Sequence, residues 1–331
     1  MAKRDSGCWV GVDLGGTKIL TGVFDAQLRL LGTAKVSTRA ERGVEVVLER
    51  IVRCVREALE AAGKSTGDVA AIGVGAPGAV DAARGTVRFA PNLPGWRNIP
   101  LGRKLTRALE RPVVIGNDAN VCALGVYEVE LRARPRHVVG VFVGTGIGGG
   151  LILEGRLYEG CSHTAGEIGH MIVEVNGPRC GCGNRGCWEA VASRTAIFRR
   201  IREAVEGGEN TVLTEWLGED LEDLRSNDLR KAWKRGDKLV RRILLQAADY
   251  LGIGVANLIN LLNPEVVVLG GGLMQALGPE LLPRISRTAR EHAMPGSCAR
   301  LKIMASRLGD DAGITGAAVL ARRWALSTSS S

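Results

Sequence analysis

The sequence predicts an α/β protein of two similar lobes with a cleft between them. Two observations predict it. A strand, a glycine turn and a returning strand occur twice, near residues 8–24 and 137–153, each time followed by mixed strands and helices. At 331 residues the chain is also too long for one compact core.

Cys8–Val12 is a short apolar run ending in Asp13; the turn Leu14-Gly15-Gly16-Thr17 follows, and Lys18–Phe24 reads as the returning strand. Leu28–Val36 fits a third strand. Val44–Ala62 places Val47, Leu48, Ile51, Val55 and Leu59 at helical spacing and stops near Gly63. Val69–Val74 is a buried-strand run, after which Gly75-Ala76-Pro77-Gly78 forces a loop. Leu101–Leu109 is helical, Val113–Ile115 a strand, and Asn117-Asp118 opens a helix to about Leu131. In the second half His137–Val143 is a strand, Gly144–Gly150 a glycine turn and Leu151–Leu153 a strand, which Glu154-Gly155 turns toward Leu157-Tyr158. Gly207–Gly236 reads as an irregular, acid-rich helical insert. Lys238–Leu262 is a long helix ended by Asn263-Pro264, and Val266–Leu269 is a strand running into Gly270-Gly271-Gly272. Leu301–Met304 is a last strand and Asp311–Ala325 a last helix. These readings divide the chain into a first lobe, 1–117, joined by the C-terminal helix 311–326, a larger second lobe, 118–310, and a disordered tail, 327–331.

Composition narrows the class. The chain is 45% hydrophobic and 24% charged, ordinary for a globular protein, and no run of 18 apolar residues predicts a membrane helix. The N-terminus has two basic residues but no apolar segment before the first strand, which predicts a cytoplasmic protein whose eight cysteines are thiols or metal ligands. Its formal net charge is +9, but the basic residues are dispersed, so nucleic acid is not an expected partner.

One segment carries metal-ligand chemistry. His170, Cys180, Cys182 and Cys187 lie close together in GEIGHMIVEVNGPRCGCGNRGCWE, flanked by Glu167 and Glu189. Thiolates and an imidazole at this spacing suggest a tetrahedral zinc site, and four protein ligands leave no open position, so the zinc is structural. Cys8, Cys54, Cys122, Cys161 and Cys298 lack partners at such spacing and are expected to be core thiols.

The glycine stretches are of a particular kind. Gly144-x-Gly146-x-x-Gly149 matches a dinucleotide fingerprint, but a hairpin pattern, LILEGRLY, follows where a helix is required. Neither turn is a P-loop. Two hairpin turns rich in backbone N–H groups, one per lobe, can grip a polyphosphate. Asp13, at a strand end beside the first turn, can hold Mg²⁺ through water or simply form the turn, and Lys18 fits a phosphate contact or a solvated strand position.

GVDLGGTK, GVGAPGAVD, APNLPGW, GNDANV, VGTGIGGG, GEIGH and CGCGNRGCWE occur in this order. Together they resemble the ROK family of sugar kinases and sugar-responsive repressors, in the actin/hexokinase superfamily, over about Gly11–Arg323. The resemblance is nearest to the glucokinase branch. It implies a duplicated, RNase H-like, two-lobed ATPase fold with an inter-lobe cleft, and transfer of the γ-phosphoryl group of ATP to a hexose 6-hydroxyl. Asp118 fits a helix cap or a general base that takes the hydroxyl proton, and the resemblance favours the base. Asn117, Glu167, His170 and Glu189 are implied around the sugar, with Gly78 and Asn92 approaching it. With one ring nitrogen of His170 on zinc, the other can donate toward a hydroxyl or carboxylate. Asp13, Gly15, Gly16, Thr17, Lys18, Gly144, Thr145, Gly146 and Gly148 are implied around Mg²⁺ and the phosphates. Gly270, Gly271 and Gly272 follow a strand and open a helix, where they can let an adenine ring lie against the backbone or simply serve helix packing. The family's glucokinases often carry a glutamate shortly after GNDAN; here Gly125-Val126 precede Tyr127-Glu128, and no role passes to that residue. Trp188 is expected to pack on the zinc loop. A homodimer is the family expectation.

Glucose is the expected substrate, with N-acetylglucosamine, N-acetylmannosamine or a broad range of hexoses as alternatives, and polyphosphate is not excluded as a second donor. A non-enzymatic regulator of the same family is the competing reading; its helix-turn-helix module would precede the lobe, and the first strand beginning near residue 8 leaves no room for one. A zinc hydrolase needs an open metal position, which this ligand set lacks.

Overall fold

In the computed structural model, which describes residues 7–328, the chain alternates strands and helices throughout. In order these are β1 (Cys8–Leu14), β2 (Lys18–Phe24), β3 (Leu30–Ser37), α1 (Val44–Ala61), β4 (Val69–Ala76), β5 (Ala79–Asp81), β6 (Thr86–Phe89) and β7 (Arg97–Ile99). Then come α2 (Leu101–Leu109), β8 (Val113–Asn117), α3 (Asp118–Gly125), β9 (Val138–Val143), β10 (Ile147–Leu153) and β11 (Arg156–Leu157). The remainder is α4 (Trp188–Ala192), α5 (Arg194–Glu206), α6 (Val212–Leu217), α7 (Ser226–Arg235), α8 (Lys238–Leu262), β12 (Val266–Gly270), α9 (Gly272–His292), β13 (Lys302–Ala305) and α10 (Ala312–Thr328).

The chain forms two units. The first takes the described residues up to Arg134, then Gly150–Gly166, and the chain from Asp311 on; the second takes Pro135–Gly149 and Glu167–Asp310. The division drawn at Asn117/Asp118 from the sequence therefore falls inside the first unit, because α3 packs on α10 and β4. The chain crosses between the units four times, once within β10.

The first unit is built on a five-stranded sheet in the order β3-β2-β1-β4-β8. β2 runs antiparallel to both β1 and β3, and β4 and β8 run parallel to β1. The amphipathic α1 buries Val47, Leu48, Ile51, Val55 and Leu59 against this sheet, as the helical spacing of those residues predicts. On the other face α10 lies directly on the strands. A Cβ on Gly11 would overlap the Ile314 carbonyl, and one on Gly73 the Ala317 carbonyl, so glycine at these two strand positions lets helix backbone rest on sheet backbone. A small sheet, β5-β6-β7, for which the sequence reading gave no element, adds Val87 and the buried Trp96 nearby to the same core.

The second sheet, β11-β10-β9-β12-β13, repeats this order of a three-strand meander followed by two parallel strands. The duplication inferred from the repeated strand–turn–strand is thus an identity of strand order. α9 packs on β12 and β13, and α8 lies against α9, α5 and α4. By length and composition α8 is the one helix among the described residues able to cross a membrane, yet Leu239, Val240, Ile243, Leu244, Leu251 and Val255 are all buried in the second unit. It is a core helix.

Three sequence expectations need correction. β10 begins at Ile147, so Gly148–Gly150 belong to a strand and the second glycine turn shrinks to Gly144–Gly146. Gly150 is small because Ala123 of α3 presses against it, not because the chain turns there. The disordered tail was set to begin at 327, but α10 continues through Ser327 and Thr328, whose hydroxyls bond back to the Trp324 carbonyl; residues 329–331 lie outside the described residues. Of the five cysteines expected in the core, Cys8 and Cys54 are buried; Cys122 is partly exposed as a residue although its thiol is desolvated, Cys298 is partly exposed and Cys161 is exposed. Trp188 is buried beneath α8, its indole filling the space that a side chain on Gly254 would take.

Candidate active site

In the first unit the candidate residues gather at the carboxyl ends of parallel strands, where open α/β sheets bind ligands. Asp13, the last residue but one of β1, lies opposite Gly75 of β4, and Ala76 of β4 lies opposite Asn117 of β8. Asp118 follows at once as the first residue of α3. A Cβ on Gly313, at the start of α10, would lie 2.8 Å from the Asp13 carboxyl carbon, so α10 presses on that carboxylate. Both carboxylates act on Cys122, one helical turn beyond Asp118. Burial, then the charges of Asp13 and Asp118, push this thiol well above its ordinary pKa.

Asn117, not Asp118, caps α3. Its side-chain oxygen accepts from the Asn120 N–H at 3.1 Å, and its amide donates to the Gly78 carbonyl at 3.1 Å. One amide hydrogen and one lone pair are left to meet a ligand. One oxygen of Asp118 accepts from the Ala119 N–H at 2.8 Å. The first glycine turn is closed by the Gly15 N–H donating to the Lys18 carbonyl at 3.0 Å and is braced by Thr38, which donates its hydroxyl to Gly15 and its N–H to Thr17. Asn92 lies against Gly16, where a Cβ would come within 2.9 Å of the Asn92 carbonyl. Asp13, the turn with Lys18, Gly78, Asn92, Asn117 and Asp118 therefore share one region of the first unit. Glu128 is tied to α10: it accepts from Arg323 at 2.8 Å and from Arg322 at 3.4 Å, a structural pairing.

In the second unit the metal-ligand candidates converge. One ligand atom from each of His170, Cys180, Cys182 and Cys187 falls within 4.8 Å of the others. The Cys182 and Cys187 sulfurs are 3.6 Å apart, and His170 Nδ1 is 3.7 Å from the Cys180 sulfur. A tetrahedron with zinc–sulfur bonds of about 2.3 Å has edges of about 3.8 Å, which these two separations match. The chemistry of the set agrees. Burial, then the neighbouring Cys182 and Cys180, push the Cys187 thiol up to about 12, and burial raises Cys180, while the Asn184 N–H lowers Cys182. Three crowded thiols ionise together only with a cation among them.

Around this cluster stand the sugar-side candidates. With Nδ1 directed at Cys180, His170 turns Nε2 toward Glu167, 3.9 Å from its carboxylate. Glu189, the second residue of α4, accepts from the Ile147 N–H at 2.9 Å. A Cβ on Gly146 would overlap that same carboxylate oxygen, and one on Gly169 the Ile147 carbonyl. The glycine turn, the Glu167–His170 segment and the cysteine loop are thus one packed assembly.

Beside it lies a cavity of about 540 Å³ lined by Arg194, Phe198, Arg225, Asn227, Gly272 and Gln275 among others. Gly270 ends β12 and Gly272 begins α9, so the third glycine stretch opens on this cavity through Gly272. The first residues of α5, α7 and α9 all line it, bringing the positive ends of three helices to one place. Gly148, inside β10, is the one proposed phosphate contact that lies away from a turn. The sequence reading missed Arg194 and Thr195. Thr195 donates its hydroxyl to the Thr145 carbonyl at 2.7 Å, and Arg194 donates to the Thr145 hydroxyl at 2.8 Å. Their signal was Ser193, which caps α5 at 3.2 Å and starts a helix just after the cysteine loop.

Residues 9–324 match the ROK family. A glucokinase from Thermotoga maritima is 37% identical over 310 residues, covering 93% of this chain and 95% of that protein. A ROK family glucokinase from Streptomyces griseus, solved in complex with glucose and AMPPNP, superposes with a TM-score of 0.86 at 34% identity, covering 96% of this chain and all of that one. A ROK hexokinase from Thermus thermophilus gives 0.78 at 36% identity, covering 98% of this chain and all of that one. With the duplicated sheet order and the His–Cys₃ cluster, these likenesses establish that the chain belongs to the ROK family, with its two-lobed sugar-kinase fold.

Proposed function

We propose that this protein is an ATP-dependent glucokinase that phosphorylates the 6-hydroxyl of glucose. The observation that carries the reading is the placement of Asp118. It stands at a strand end with Asp13 nearby, at the start of a helix that Asn117 caps. Asp118 accepts the O6 proton as that oxygen bonds to the γ-phosphorus, and the bond to the bridging oxygen breaks to release ADP. Asp13 would hold Mg²⁺ through water, and the ion when bound would supply charge neutralisation at the phosphates.

Glu167, His170 Nε2 and Glu189 hold sugar hydroxyls, assisted by Asn117, Gly78 and Asn92. The turns at Gly15–Lys18 and Gly144–Gly146 present N–H groups to phosphate, and the cavity at Gly272 takes the nucleoside end. His170 Nδ1, Cys180, Cys182 and Cys187 would hold a structural Zn²⁺, which fixes the ring orientation of His170 and the loop that delivers Glu189. The family resemblance and the eight free cysteines support a cytoplasmic enzyme, and the resemblance alone supports a homodimer.

A coupled ADP-release assay across glucose, mannose and N-acetylhexosamines tests the reading, with glucose expected to give the highest kcat/KM. Asp118→Asn is expected to lower kcat by about 10²- to 10⁴-fold while glucose binding, read by calorimetry, persists. Unchanged turnover in this variant removes Asp118 as the base.

A further inference from the structure

We propose that Arg194 is a phosphate ligand of the nucleotide donor, so that donor affinity depends on the number of phosphates through this one side chain. The inference rests on the kinase reading above and adds a residue to it. Arg194 begins α5 and joins two glycine stretches of the second unit. Its backbone N–H donates to the Gly144 carbonyl at 3.0 Å and its guanidinium to the Thr145 hydroxyl at 2.8 Å. Its other terminal nitrogen is 3.7 Å from where a Cβ on Gly272 would sit. The guanidinium carbon lies 6.0 Å from the Phe198 ring centre, which backs it and limits its swing.

Among the described residues Arg194 makes no ion pair with a carboxylate, and it is only partly exposed on the wall of the 540 Å³ cavity. A guanidinium held by a hydroxyl, a ring and a helix start, with donors to spare and no anion of its own, suits a planar contact to phosphoryl oxygens. The hydroxyl it grips belongs to the turn proposed to cradle phosphate, so the cation and the N–H groups act on the same part of the donor. Of the other charged groups on the wall, Arg225 adds to the attraction, and Asp310 alone opposes it.

Calorimetry with ADP and with adenosine, on wild type, Arg194→Gln and Arg194→Lys, tests the assignment. The Gln variant is expected to lose about tenfold or more in ADP affinity, with adenosine affinity and melting temperature within experimental error of wild type. The Lys variant is expected to recover part of the ADP affinity and its salt dependence, because it restores charge without the fork. In turnover, the KM for ATP rises in the Gln variant while kcat changes less.

Equal losses for ADP and adenosine make Arg194 a brace for the Thr145 turn and overturn the proposal, as does ADP affinity unchanged from wild type. If wild type phosphorylates glucose and the Gln variant binds ADP normally, only this inference falls. If wild type binds ADP but phosphorylates no sugar, the kinase reading falls and the ADP–adenosine comparison still decides Arg194.

Discussion

Single residues at this site are constrained by neighbours far away in the sequence. Gly146 was read as a turn residue that offers its N–H to phosphate. Its absent side chain has a second use, because the Glu189 carboxylate occupies that volume while accepting from the Ile147 N–H. Gly146→Ala should therefore displace Glu189 and act on the sugar. We expect the KM for glucose to rise by about 10- to 100-fold and the KM for ATP to change less. A variant with wild-type glucose KM would show that Glu189 does not hold the sugar. Asn117 and Asp118 teach the reverse lesson. The sequence offered Asp118 as the helix cap or the base, and only the folded backbone assigns the cap to Asn117.

At the scale of elements, the contact of α10 with β1 and β4 sets the geometry of the Asp13 region. Helix and sheet backbones meet through Gly11 and Gly73, and Gly313 at the start of the same helix abuts Asp13. A methyl group on Gly11 would push α10 away from the sheet. We expect Gly11→Ala to cost at least ~2 kcal/mol of stability and to lower kcat by shifting Asp13. Gly296→Ala is the control, since nothing lies within 4 Å of its Cβ position, and denaturant unfolding of the two variants compares them. Equal stability of both would mean that the helix-to-sheet approach tolerates expansion. The strands and long helices were legible because apolar period and caps are local. β5, β6 and β7 were not, since strands of three or four residues carry too little pattern and exist through their pairing.

At the scale of the whole molecule, the two five-stranded sheets share a strand order. The four metal-ligand candidates all lie in the second unit, and among the described residues no other His, Cys, Asp and Glu cluster with metal-ligand spacing appears. Freshly purified protein should contain one zinc per chain by elemental analysis, and none in active protein would refute the site. A chelator should lower the stability of the second unit selectively, reported by the buried Trp188 beside the cluster. The ligands must be deprotonated to bind. Without a metal the Cys187 thiol is pushed up to about 12, so protons compete increasingly as pH falls and zinc should be released more readily in acid than at neutral pH.

The sequence by itself determined the class of fold, the repeated strand–turn–strand, the long helices and which residues are candidate metal ligands, because periodicity, punctuation and ligand spacing are written in neighbouring residues. Only the tertiary structure decided which residue caps α3, that Gly148–Gly150 lie in a strand, where the units divide, and that Arg194 reaches Thr145. Those outcomes depend on which backbones approach each other and which side chains fill the space between, and such distances have no counterpart in sequence order.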